Sequence, residues 1–256
     1  WLSVGEGRES VRLPLLSFAL ELERGPQGVA RPGLLEVGVV LGDGVDPLLE
    51  ALFYRLDVEA GEVRFGDGRR GARLPSGKVR QVRLTTTDDP LLPTTVRLLF
   101  APDSVVFFVD DFEVRWQKGE PSGGICSNQT DLDFLLERAR RSGKGKGHSD
   151  QIDILTWGGA TLPEAPPDTG RIKVKLPWDR DGLCSVDKLL EDSAYRSVTI
   201  RGWDAKKKES VLVARGASVK TVRLLAGDRL EPTVEPTFQA DGLCWTIGAE
   251  SGCSDR

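Results

Sequence analysis

The chain has 256 residues, with 35 Lys and Arg against 39 Asp and Glu, giving a formal net charge of −4 at neutral pH and an isoelectric point near 5.3. That length allows one large domain or two modest ones, either able to bury a core of its own. The acidic balance argues against a surface that is basic throughout, so no nucleic-acid partner is expected, and no apolar run reaches the roughly 18 residues a membrane-spanning helix needs.

The chain opens at Trp1 without Met, a basic n-region or a short apolar stretch, so a signal peptide is expected to be absent from it. Val11 to Glu23 reads as a strand: Phe18, Leu20 and Leu22 share one face and Ala19, Glu21 and Glu23 the other, until Arg24-Gly25-Pro26 breaks it. Leu34 to Leu41 is an apolar strand closed by Gly42-Asp43-Gly44. Leu52 to Glu59 and Glu62 to Phe65 flank Ala60-Gly61, which predicts a tight hairpin. Lys78 to Thr86 and Thr95 to Phe100 alternate again, and Ser104 to Val109, Asp110-Asp111 and Phe112 to Trp116 predict a second hairpin.

Asp131 to Arg141 carries a helical pattern, capped by Ser127 or Thr130, with acids first, basics last and Gly143 beyond. A shorter helix is predicted over Val186 to Ala194. Ile152 to Trp157, Arg171 to Leu176, Ser197 to Trp203, Ser210 to Ala214 and Ser218 to Leu225 read as strands, and the Pro-rich Leu162 to Asp168 as a boundary. The expected fold is mainly β: an antiparallel, jelly-roll-like β-sandwich over residues 1–160, then a smaller disulfide-containing β-rich or α+β region over residues 161–256.

Gly124-Ile125-Cys126-Ser127, Gly182-Leu183-Cys184-Ser185 and Gly242-Leu243-Cys244-Trp245 resemble one another, either as a duplicated helix–strand unit or as coincident short turns. The four cysteines include no CxxC pair, and the single histidine, His148, lies at no zinc-finger spacing, so no structural zinc is expected. Cys244 and Cys253 flank a short Gly-containing loop and are the easiest pair to close, leaving Cys126 with Cys184; four buried reduced thiols are the alternative. The oxidised reading implies a secreted, lumenal or periplasmic setting. Asn128-Gln129-Thr130 is a glycosylation sequon, meaningful in a eukaryote.

Leu52–Phe65 and Val105–Val114, with Gln151–Trp157 as a closing strand, resemble the laminin-G/concanavalin A-like jelly-roll family over the first 160 residues or so. In the second of these, Asp111 stands where the family's hairpin has Gly. The resemblance implies a concave face or loop rim that binds glycans, proteins or calcium.

Candidate chemistry is sparse. His148 sits in a Gly-rich polar loop, more suited to solvation than to general-base work. Asp57, Glu59 and Glu62 have the i, i+2, i+5 spacing of some jelly-roll glycosidases, in which paired carboxyls act as nucleophile and acid, but a turn at Ala60-Gly61 breaks that arrangement. Arg138, Arg140, Arg141, Lys144 and Lys146 form a basic cluster suited to a sulfated glycan, a phosphate or an acidic partner, or else merely to the end of a helix. Lys206-Lys207-Lys208 is a charged turn. Asp43 and Asp46, Asp88-Asp89, Asp110-Asp111, and Asp179 with Asp181 offer oxygens to Ca²⁺ without the spacing of a calcium loop. Trp116, Trp157, Trp178, Trp203 and Trp245 suit a core better than a sugar platform. The expectation is a non-catalytic extracellular binding or structural module for a glycan or protein. Its alternatives are an accessory subunit of a larger assembly and a glycoside hydrolase using Asp57 and Glu59.

Overall fold

The structure, a computed structural model, describes residues 1–4, 11–25, 28–42, 45–46, 50, 57–86, 93–120, 123–135, 152–156, 171–203, 209–227 and 230–255. Strands dominate, in the mainly β and antiparallel class expected, and among these residues they form one open eighteen-stranded sheet.

β1 (Leu2–Val4) pairs antiparallel with β2 (Val11–Leu13). Pro14, with no N–H to give, separates β2 from β3 (Leu15–Arg24), so the run expected from Val11 to Glu23 is two strands. Within β3 the alternation holds: Phe18, Leu20 and Leu22 are buried while Glu21 and Glu23 are exposed. β4 (Ala30–Pro32) and β5 (Leu35–Val40) both pair with β3, β5 along Leu15–Ala19 and β4 along Leu22–Arg24.

β6 (Asp57–Phe65) runs straight through Ala60-Gly61, which corrects the hairpin expected there. Gly61 stands opposite Leu74, whose Cβ lies 3.4 Å from where a Gly61 Cβ would be. Gly61 is thus an ordinary strand position, with extended backbone and a cross-strand neighbour, and not a turn. The chain reverses instead at residues 66–69, where Gly66 and Gly68 take φ values of 53° and 83°.

β7 (Arg70–Thr85) and β8 (Thr95–Val109) then form one long ladder, and β8 turns into β9 (Phe112–Gln117). Asp110 rather than Asp111 takes the left-handed conformation (φ 52°), and its N–H donates to the Arg69 carbonyl at 2.7 Å. With β7 along one edge of β8, β5 and β9 lie end to end along the other, against Thr95–Phe100 and Ser104–Val109.

β10 (Asp131–Leu135) occupies the start of the predicted helix and pairs parallel with a later strand, β14; residues 136–141 lie outside the described residues. Burial of Leu132 and cross-strand Asp–Arg pairs outweigh the local helical pattern. β11 (Ile152–Thr156) pairs with β12 (Arg171–Val174), which is followed by β13 (Leu176–Pro177), α1 (Arg180–Glu191), β14 (Ala194–Trp203), β15 (Glu209–Gly227), β16 (Leu230–Gln239), β17 (Gly242–Ile247) and β18 (Glu250–Asp255). β12 and β13 keep one register on β16, with Lys173 opposite Thr237 and Leu176 opposite Val234. The ladder is interrupted where Pro236 offers no N–H.

α1 begins six residues before its predicted start, because the Asp179 carboxylate caps it by accepting from the Gly182 N–H at 2.9 Å. The three Gly-x-Cys sites fall in a turn, a helix and a strand, so they are not copies of one unit.

The two strands predicted over Ser210–Ala214 and Ser218–Leu225 are one. β15 pairs with β14 and then β3 along one edge, and with β17 and then β16 along the other. The changeover falls at Gly216, in left-handed conformation at φ 57°, where a Cβ would collide with the Asp241 carboxylate. Among the described residues strand pairing therefore crosses residue 160 three times, through β3–β15, β10–β14 and β11–β12.

Trp178, from the segment between β13 and α1, is fully buried among side chains of the first half. Its ring packs edge-to-face on Phe65 at 4.9 Å, Phe18 at 5.9 Å and Phe107 at 6.3 Å, and its indole N–H donates to the Phe108 carbonyl at 3.1 Å. Replacing it leaves a cavity and removes that hydrogen bond. Trp178→Ala is expected to cost about 3–5 kcal/mol in urea unfolding and Trp178→Phe clearly less. An unchanged midpoint for Trp178→Ala contradicts this packing.

Candidate functional site

An open cleft of about 890 Å³ lies where the strand neighbours of β8 change. β5 ends at Phe100 and β9 begins at Ser104, so Ala101 and Pro102 have no strand partner on that edge. β4 forms the facing wall. Trp116 anchors the floor through its indole N–H, which donates to the Ala30 carbonyl at 3.2 Å, and Leu190 of α1 adds apolar surface. Val29, 56% exposed, stands at the mouth. Arg31, Lys78 and Arg80 are exposed on the rim. The lining acids are already engaged, Asp103 with Lys118 at 3.6 Å and Glu120 with the Gln117 amide at 2.7 Å.

A second feature is the turn at residues 125–128, pinned to α1. The Cys126–Cys184 disulfide joins them, the buried Asp187 carboxylate accepts from the Cys126 N–H at 2.7 Å and the Gly124 N–H at 3.2 Å, and buried Lys188 donates to the Ser127 carbonyl at 3.4 Å. Lys188 also lies over the Tyr195 ring, whose phenol burial pushes above its ordinary range. Arg24, at the end of β3, donates to the Lys188 and Leu189 carbonyls, each at 3.3 Å, and pairs with Asp192, so a cation closes the negative end of the helix. The exposed Ile125 and Asn128 therefore ride on a fixed platform.

Asp57 and Glu59 lie on β6, but their side chains are outside the described residues. Glu62 accepts from Arg64 at 2.9 Å and lies 3.8 Å from Arg73. Arg138, Arg140, Arg141, Lys144, Lys146 and His148 all lie outside the described residues, as do Asp43, Asp88-Asp89, Trp157 and Lys206-Lys207-Lys208. Asp179 and Asp181 serve the start of α1. Among the described residues no group of three or more His, Cys, Asp or Glu side chains is arranged to hold a metal ion. Trp116 and Trp178 are buried apart, in core positions. Cys244 is bonded to Cys253 directly across the β17–β18 pair. The cleft was missed in the sequence because its residues come from five separated segments; only the exposed Val29 hints at it.

On β10, which leads into the basic segment, Asp131 accepts from Arg196, from the Ser197 hydroxyl at 2.7 Å and from the Thr130 hydroxyl at 3.0 Å. The Arg196 hydrogen bond foremost, then that from Ser197, lowers its carboxyl from the ordinary 3.8 to about 2.

No family model and no curated protein matches the sequence. Solved structures that resemble the chain include a Neisseria meningitidis MC58 tail protein, at 8% identity and TM-score 0.42, covering 94% of this chain and 96% of that one. Another is an E. coli protein described as a type VI secretion component similar to T4 bacteriophage tail proteins gp27 and gp5, at 7% identity and TM-score 0.40, covering 94% and 76%. A third is a type six secretion system protein, at 14% identity and TM-score 0.38, covering 45% and 94%. The laminin-G/concanavalin A-like resemblance is corrected by these findings, and the glycan recognition it implied goes with it. Its hairpin patterns are generic: one of the two segments that carried it holds no hairpin at the expected turn.

Two measurements check these local accounts. The Cys244–Cys253 pair is the accessible one, with Cys253 exposed, whereas Cys126 and Cys184 are buried. Mild dithiothreitol on the folded protein is expected to open Cys244–Cys253 first, with alkylation and peptide mass mapping as the readout. Cys126–Cys184 joins residues 58 apart, and its loss removes a chain-entropy restraint of about 4 kcal/mol; its opening first contradicts this order. Because the folded Asp131 carboxyl titrates below its ordinary value, its stabilisation is complete above about pH 4 and lost as pH falls towards 2. The melting-temperature gap between the native chain and Asp131→Asn is expected to close over that interval; a gap constant to pH 2 contradicts the assignment.

Proposed function

We propose that the chain is a non-catalytic structural subunit of a larger assembly outside the reducing cytosol, joined to a neighbour by strand pairing along β18. The observation that carries this reading is the edge itself. Among the described residues β18 pairs only with β17. The hairpin turns at Gly248-Ala249, with Gly248 at φ 65°, so Ile247 and Glu250 form the hydrogen-bonded pair nearest the turn. By alternation, the Ser251 and Cys253 N–H groups point away from β17. The centre of the edge, Ser251-Gly252-Cys253-Ser254, carries neither Lys nor Pro, the usual guards against pairing. Ile247 beside it is 59% exposed.

Two disulfides support an oxidising compartment, whether secreted, lumenal or periplasmic. No helix among the described residues is long and apolar enough to cross a membrane.

Isolated from its source without denaturant, the chain is expected to sediment as a complex several times its own mass. Ser251→Pro, which removes an outward N–H and leaves the β17 ladder intact, is expected to release it as a single folded chain. A native chain sedimenting alone overturns the reading.

A further inference from the structure

We propose that the cleft between β4, β8 and β9 seats an acidic, extended segment of a partner subunit, with an apolar side chain lodged against Val29 and Leu190. This deepens the subunit reading and rests on it.

Charge selects the class of occupant. Arg31 and Arg80 are exposed on the rim, and four basic side chains of the lining, with Lys78 and Lys118, stand against two acidic ones, of which Asp103 faces Lys118. The cleft therefore presents a positive field on a chain whose net charge is −4, and steers an anionic partner towards it. Shape selects an extended chain. The cleft is the interruption left between the ends of β5 and β9, bounded by strands on both sides. Its volume of about 890 Å³ holds several side chains. The half-buried Leu190 and Ala101 and the exposed Val29 add apolar surface that a small inorganic anion leaves uncovered. A single-stranded nucleic acid needs an exposed ring for stacking, whereas Trp116 is only 6% exposed and its indole N–H is already donated to Ala30.

The probes are fluorescein-labelled decapeptides read by anisotropy: alternating Asp-Leu, alternating Lys-Leu and alternating Asp-Ser, with a thymidylate decanucleotide alongside. The Asp-Leu peptide is expected to bind the purified full chain, and the other three to bind at least about tenfold more weakly. Arg31→Glu with Arg80→Glu is expected to weaken the Asp-Leu peptide about tenfold or more, whereas Arg223→Glu, an exposed site on β15 outside the cleft, leaves it unchanged. Should the double reversal lower the melting temperature, Arg31→Gln with Arg80→Gln reads the same loss without new charge. Equal binding of Asp-Leu and Lys-Leu, tighter binding of the oligonucleotide, or insensitivity to the Arg31 and Arg80 changes overturns the inference. A chain that assembles natively but takes no Asp-Leu peptide overturns this inference alone. A chain that is a monomer in native isolation yet binds the peptide at the cleft overturns the subunit reading alone.

Discussion

Among the described residues a single ladder, between β3 and β15, joins β1–β9 to β10–β18 in one sheet. β15 spans 19 residues, and each of its edges is shared by two partners in succession: β14 then β3, and β17 then β16. The backbone donors and acceptors of its buried stretch cannot be left unpaired, so the position of each partner is dictated by the others. Gly216 makes the changeover possible, since a residue with a Cβ meets Asp241 there. The same economy recurs in β8, whose outer edge passes from β5 to β9. There the changeover is incomplete, and the gap at Ala101 and Pro102 is the cleft. Site and scaffold thus have a common origin in long strands with sequential neighbours.

α1 locks this arrangement from one side. It packs against β15, β16, β9 and β3, its start follows the buried Trp178, and its end is capped by Arg24 of β3. Asp187, through one carboxylate oxygen, and Lys188 hold the backbone of the turn at residues 125–128, and the Cys126–Cys184 bond fixes the same contact covalently. Leu190, near the end of the same helix, lines the cleft. The disulfide, the helix cap and the cleft floor are therefore mechanically one unit, and a partner that engages the cleft touches the element joining the two halves.

The sequence made the strand content legible wherever period-two alternation was clean, as in Phe18, Leu20 and Leu22. It misled wherever a residue with a strong local meaning was used for something else. Ala60-Gly61 reads as a turn but continues a strand, with Gly61 opposite Leu74, and Asp131–Leu135 reads as a helix start but is held extended by Arg196, Arg201 and the burial of Leu132. These are outcomes of contacts between residues far apart in the chain, which a local pattern does not encode. The cleft was opaque for the same reason: Arg31, Lys78, Arg80 and Leu190 have no common spacing. The resemblance to jelly-roll lectins rested on short hairpin patterns that many antiparallel sheets share.

The central claim is that a rigid, doubly shared sheet presents an unfinished edge for another subunit to complete. Hydrogen exchange on the free chain and on the native assembly tests it most directly. The account predicts slow exchange along Thr221–Gly227 in both states, and rapid exchange of the Ser251 and Cys253 amides in the free chain that becomes slow on assembly. Amides of β18 that exchange equally fast in both states would contradict it.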